Sequence, residues 1–89
     1  MLTPVYTKKF KKDIHRKIKA GKDKDKLLTA AKKLIEQQPL EGKYRDHKLK
    51  GKLKDRRECH IEPDWLLIYK IDGDRIIFER TGSPQSLLR

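Results

Sequence analysis

The chain has 89 residues, 35% apolar and 42% charged, which sets the scale of one small domain. So short a chain buries only about two-thirds of its unfolded surface and rarely supports two cores. Twenty-four Lys and Arg against thirteen Asp and Glu give a formal charge of +11, which calls for a polyanionic or acidic partner such as nucleic acid, an acidic protein or an anionic membrane.

No apolar run approaches the ~20 residues of a membrane-spanning helix and nothing resembles a signal peptide. A soluble, cytoplasmic protein with no membrane partner is expected. So high a charge fraction spread evenly would suggest disorder, but the apolar residues here are gathered into periodic blocks. Cys59 is the only cysteine, which leaves no intrachain disulfide and no cysteine-based zinc site, and it reads as a small buried apolar residue.

The chain opens with a short β-compatible piece at Val5 and Tyr6. In "TKKFKKDIHRKIKAGKD", Phe10, Ile14 and Ile18 recur every four residues, one face of a helix capped by Thr7 and ended near Gly21. From Asp23, a second N-cap, Leu27, Leu28, Ala30, Ala31, Leu34 and Ile35 continue an amphipathic pattern that "QQP" stops at Pro39. Residues 8–33 hold twelve Lys or Arg against three acids with little aromatic interleaving, so this αα-hairpin reads as an electrostatic surface, with His15 on its solvent side. Residues 40–55, "LEGKYRDHKLKGKLKD", carry two glycines and six Lys or Arg with few apolar positions, and predict a long loop or irregular edge.

The period then changes to two. In "WLLIYKIDGDRIIFERTG", a turn at Asp72 and Gly73 predicts a hairpin with Ile71 opposite Asp74, Tyr69 opposite Ile76, Leu67 opposite Phe78 and Trp65 opposite Arg80. Pro63 and Asp64 suit a second turn, which sets His60 opposite Leu67 and Glu58 opposite Tyr69. Alternation then puts Glu58, His60, Trp65 and Arg80 on one face. Cys59, Ile61, Leu66, Ile68 and Ile77 take the other, as the seat for the helices. The expected order is strand, two helices, then three strands in a meander.

Several chemistries find no support. His60 and Glu62 begin a zinc deaminase signature whose cysteine half is missing, and His47, His60 and Asp64 lack any spacing that would fix a metal. Ser83 and Ser86 sit in no nucleophile elbow, and the glycines form no phosphate loop. Metal-free acid and base chemistry on RNA remains. A base takes the 2′-OH proton, cations steady the charge on phosphorus, and an acid protonates the leaving 5′-oxygen. His47 and His60 suit it, each flanked by basic residues. Glu58 and Asp64 can orient an imidazole or act as base, Arg80 can bind the scissile phosphate, and Trp65 can stack a base. The competing reading of the same residues is a solvated strand edge with a turn carboxylate, and a simple DNA-binding module is a third reading of the charge.

The stretch "YRDHKLKGKLKDRRECHIEPDWLLIYKIDGDRIIFERTGS" closely resembles the YafQ-type branch of the RelE superfamily, the mRNA interferase toxins of bacterial type II toxin–antitoxin systems. The motifs that carry the likeness are DHxLxG at Asp46 to Gly51, HIEPDW at His60 to Trp65, and FERTGS at Phe78 to Ser83.

The resemblance implies a single α+β domain over residues 1–89, of small RelE-like βααβββ type, with two helices on one face of a mainly antiparallel sheet and RNA on the other. It implies metal-independent cleavage of mRNA on the ribosome, without a cofactor, and neutralisation by a cognate antitoxin. It carries catalytic roles onto His47, His60 and Asp64, with Glu58 and Arg80 beside them. RNA contacts are expected at Lys50, Lys52, Lys54, Arg57 and Trp65. Where the family usually has a histidine acid and a closing phenylalanine, this chain has Pro84 and Leu88. The alternative reading is therefore a homologue of impaired chemistry that acts as a binding protein for antitoxin, ribosome or nucleic acid.

Overall fold

A computed structural model of the protein describes residues 1–87, so the Leu88 position lies outside the described residues. Strand β1 (Thr3–Tyr6) leads into helix α1 (Lys8–Lys19) and helix α2 (Lys24–Ile35). Thr7 caps α1 by accepting the Phe10 N–H at 3.0 Å, and Asp23 caps α2 by accepting that of Asp25 at 2.9 Å. Both helices close on a residue in the left-handed region. Gly21 (φ +91°) ends α1 with Lys22 N–H donating to the Lys17 carbonyl, and Gln37 (φ +57°) ends α2 with Gln38 N–H donating to that of Lys33. The second helix thus stops at Ile35, four residues before the Pro39 expected to stop it, because the left-handed Gln37 satisfies the last carbonyls first.

The strands β2 (His47–Lys48), β3 (Arg57–Glu62), β4 (Trp65–Asp72) and β5 (Arg75–Gly82) follow, then a short helix α3 (Pro84–Leu87). The sheet order is β1-β5-β4-β3-β2, with β1 parallel to β5 and every other pair antiparallel. The loop expected over residues 40–55 contains more order than its composition suggested. A 3-10 turn at Gly42–Tyr44 buries Tyr44, and His47 and Lys48 pair with Glu58 and Arg57.

Helices α1 and α2 cover one face of the sheet. Phe10, Leu27, Ala30, Ala31 and Leu34 pack there with Cys59, Trp65, Leu67, Tyr69, Ile76 and Phe78. Leu66 and Ile68 are also buried, outside that cluster and on the opposite side, so the central strand β4 is buried along Trp65 to Tyr69.

This corrects the expected register. The hairpin turn is Gly73 and Asp74, with Asp72 opposite Arg75 and glycine in the first central position at φ +61°, as a type II′ hairpin requires. A bulge at Glu79 then sets Ile68 opposite Arg80 and Leu67 opposite Thr81. The Pro63–Asp64 turn has its expected two residues, but a bulge at Ile61 places His60 opposite Leu66 and Glu58 opposite Ile68. Trp65 therefore lies on the helix face, and Leu66 and Ile68 on the other.

Candidate active site

Directly opposed residues of antiparallel strands point to the same face, so the register builds the site. His47, Glu58, Ile68 and Arg80 form one row across β2, β3, β4 and β5. His60, Leu66 and Gly82 form the next row on that face. The Glu79 bulge brings the guanidinium into the first row. Without it Glu79 would stand opposite Ile68.

Three of the sequence-predicted residues meet there. His47 Nε2 lies 3.0 Å from Glu58 Oε2, His60 Nε2 lies 4.0 Å from the same oxygen, and the two imidazole centroids are 6.5 Å apart. The His47 Nδ1 donates to the Arg45 carbonyl at 2.6 Å, and Arg45 holds that carbonyl in place from a left-handed backbone (φ +50°). A carbonyl only accepts, so Nδ1 carries a proton, and the Nε2 contact with a carboxylate is attractive only with a further proton between them. Glu58 thus faces the exposed His47 imidazole from its Nε2 side, opposite the Arg45 carbonyl. Glu58 is 5% exposed, and among the described residues its second oxygen Oε1 has no hydrogen-bond partner; neither has His60 Nδ1, also buried. Unpaired buried polar atoms of this kind are costly and mark functional positions.

Arg80 approaches from β5. Its Nε and Nη2 donate to Asp13 at 2.7 and 3.2 Å, and the Thr81 N–H donates to the same carboxylate at 3.2 Å. Asp13 is 6% exposed, and its hydrogen bond is the main reason the guanidinium holds its proton more tightly than usual. Sequence reading passed over Asp13, although its position three residues after Phe10 and one before Ile14 puts the only acid of α1 on the apolar stripe.

The remaining expected residues are placed elsewhere. Asp64 sits in the β3–β4 turn with a side chain 73% exposed, 3.6 Å from Lys22 Nζ, and neither a hydrogen bond nor an ion pair joins it to either histidine. Glu62 beside it accepts from Lys22 at 2.6 Å and Lys26 at 2.9 Å, which draws its carboxyl down to about 2. Arg57 belongs to the helix side of β3, where it donates to Asp46 and the Tyr69 hydroxyl, each at 3.3 Å. Tyr69 also donates to Asp46 at 2.5 Å, and burial, then Asp46, raises its hydroxyl above the usual range.

Trp65 is a correction. It is 1% exposed and donates its indole N–H to Thr81 Oγ1 at 2.8 Å, so its ring packs in the core and offers no face to a base. Lys50, Lys52 and Lys54 are exposed on the loop before β3. Lys52 lines a hollow of about 440 Å³ with Lys9, Arg56, Ile68 and Arg80, which continues the open face beyond Arg80. Arg56 there is paired with Glu79. Among the described residues no group of three His, Cys, Asp or Glu converges in a way that would hold a metal ion. No helix among them is long and apolar enough to cross a membrane.

The chain and its fold are similar to those of known proteins. The chain is 41% identical over 83 residues to an Escherichia coli protein named mRNA interferase toxin YafQ, covering 92% of this chain and 90% of that one. A copper-bound mutant toxin from Helicobacter pylori superposes with a TM-score of 0.95 at 39% identity, covering 98% of this chain and 99% of that one. YafQ in the E. coli DinJ–YafQ complex superposes with a TM-score of 0.92 at 38% identity, over the full length of both chains. The family model described as "Bacterial toxin of type II toxin-antitoxin system, YafQ" matches residues 2–89, and with the fold and the histidine cluster in place the chain belongs to that family.

Proposed function

We propose that this protein is a metal-independent mRNA endoribonuclease that acts in the cytoplasm on ribosome-bound message and is neutralised by a cognate antitoxin. The observation that carries the reading is the His47–Glu58–His60 cluster on the helix-free face of a YafQ-family chain. His60, whose Nε2 lies 4.0 Å from Glu58 Oε2 in the cluster, takes the proton of a ribose 2′-OH on that nitrogen. The freed oxygen attacks the adjacent phosphorus, and Arg80 with Lys52 balances the charge that gathers there. His47, acting as the acid, gives a proton to the departing 5′-oxygen, leaving a 2′,3′-cyclic phosphate and a 5′-hydroxyl. Asp64, beside the cluster in sequence, acts as an exposed carboxylate at the rim. The DinJ–YafQ complex of the E. coli relative supports a protein partner for this chain.

Cleavage is tested by adding the protein to a translating extract and mapping message ends. Cuts are expected with the wild type and are expected to vanish with His60→Ala. Intact message with folded wild-type protein sinks the reading. A second reading, a homologue that binds without cutting, rests on Pro84, the first residue of α3, where the resemblance expects a proton donor. Pro84→His separates the two: unchanged cleavage supports His47 as the acid, and a large gain supports impairment.

A further inference from the structure

His60 has two neighbourhoods, and the proposed chemistry uses one. Strand β2 pairs only with Arg57 and Glu58, so β3 from Cys59 onward has no strand along its outer edge. The 3-10 turn at Gly42–Tyr44 runs past that edge, and a hollow of about 440 Å³ opens between the turn, β3 and α2, with His60 in its wall. Its volume falls in the range of small-ligand sites. Tyr44, Ile61 and Pro63 supply apolar wall, and Lys43 and Arg45 supply charge. Among the described residues neither cation has an acidic partner; Lys43 Nζ lies 5.4 Å over the Tyr44 ring. Glu62 also lines the hollow as an acceptor held in place by Lys22 and Lys26.

We propose that this hollow is a nucleotide subsite, which seats the RNA residue next to the scissile phosphate with its base against Ile61 and Pro63 and its phosphate on Lys43 and Arg45. The inference rests on the RNA-cleavage reading above and extends it. Three features select a nucleotide over other anions. The apolar wall suits the flat face of a base, the unpaired cations suit a phosphate, and the Glu62 carboxylate accepts from an exocyclic amine. His60 belongs to both the hollow and the proton-transfer cluster, so an occupant here is continuous with the bond to be cut.

The test uses a short single-stranded 2′-O-methyl oligoribonucleotide, which lacks the nucleophile and so binds without being cut. Titrated into isotope-labelled protein, it is expected to shift the amides of Thr29 and Ile61, on two sides of the hollow, together with those of His47 and Glu58. The double variant Lys43→Gln, Arg45→Gly is expected to bind roughly tenfold more weakly, with the slope of log affinity against log salt shallower by about 0.7 for each phosphate that is no longer neutralised. Glycine keeps the left-handed backbone at position 45 and the carbonyl that holds His47. Shifts confined to the histidine cluster, with wild-type affinity in the double variant, overturn the subsite and leave the cleavage reading standing. An oligonucleotide that moves no resonance also overturns the subsite, while the cleavage reading stands or falls on the mapped message ends.

Discussion

Asp13 shows how much of the open face depends on one carboxylate on the other side of the sheet edge. It accepts from Arg80 twice and from the buried Thr81 N–H once, and so fixes the guanidinium beside α1, at the edge of the hollow lined by Lys9, Lys52 and Ile68. Removing the carboxylate strands a buried N–H and frees a half-exposed cation. Asp13→Leu is expected to cost about 1–3 kcal/mol in urea unfolding, the usual penalty for an abandoned buried donor. Asp13→Asn retains an acceptor and should recover part of that loss. If Asp13 positions Arg80, the cleavage rate of Asp13→Asn falls toward that of Arg80→Ala while its stability stays near wild type. Equal loss of rate and stability in both variants indicates a structural role alone. Cys59 stands at the opposite extreme, a residue the chemistry does not use. It is fully buried, and burial, then the carboxylates of Asp46 and Glu58, pushes its thiol up to about 12. Since the thiolate is the reactive form, native protein should resist alkylation until it unfolds. Stoichiometric labelling without denaturant contradicts that placement.

Between elements, the β3–β4 corner is tied to the helices by Glu62, which bridges Lys22 after α1 and Lys26 in α2. The Lys22 contact first, then Lys26, draws the Glu62 carboxyl from 4.5 to about 2. The folded state keeps this charge to lower pH than the unfolded state does, so the stabilisation is complete above pH 4.5 and is lost as pH falls through about 2. The gap in urea midpoint between wild type and Glu62→Gln should be full at pH 7, narrow as pH falls below 4.5 and be nearly closed at about 2; a gap that is still full at pH 2 rules the bridge out as its cause. This corner also shows what could be read from the chain. Both helix caps, the Pro63–Asp64 turn and the pairing of His60 with Glu58 on one face follow from local chemistry, and they stand. The faces of β4 did not follow. Trp65 to Tyr69 are all apolar and all buried, so no alternation marks their direction, and the direction inferred from the turns was reversed by two bulges that local sequence does not announce. Asp72, Gly73 and Asp74 offer two overlapping turns, and only pairing across the sheet selects the second. The partnership of Asp13 with Arg80 spans 67 residues and belongs to packing.

At the scale of the molecule, a radius of gyration of 12.1 Å is that of a close-packed chain of this length, so a charge of +11 is spread over a small surface. Its distribution is uneven. Helix α1 carries Lys8, Lys9, Lys11, Lys12, Arg16, Lys17 and Lys19, and its one acid is turned inward to Arg80. Lys11, Lys12, Arg16 and Lys19 line a shallow groove along the helix with His15, and none of them has an ion-pair partner among the described residues. A helix face with cations and no acids attracts a phosphate backbone without reading its bases, a role that fits the proposed cleavage of RNA at the histidine face. The triple variant Lys11→Gln, Lys12→Gln, Arg16→Gln should fold normally, because all three side chains are exposed. Measured by fluorescence anisotropy on single-stranded RNA, its plot of log affinity against log salt should be shallower by up to about 2, since each neutralised phosphate contributes about 0.7 to the slope. An unchanged slope places the backbone contacts on the Lys50 to Lys54 loop and the Arg80 face alone, and leaves the α1 groove to an acidic protein partner, whose association rate should then become less salt-dependent in the triple variant.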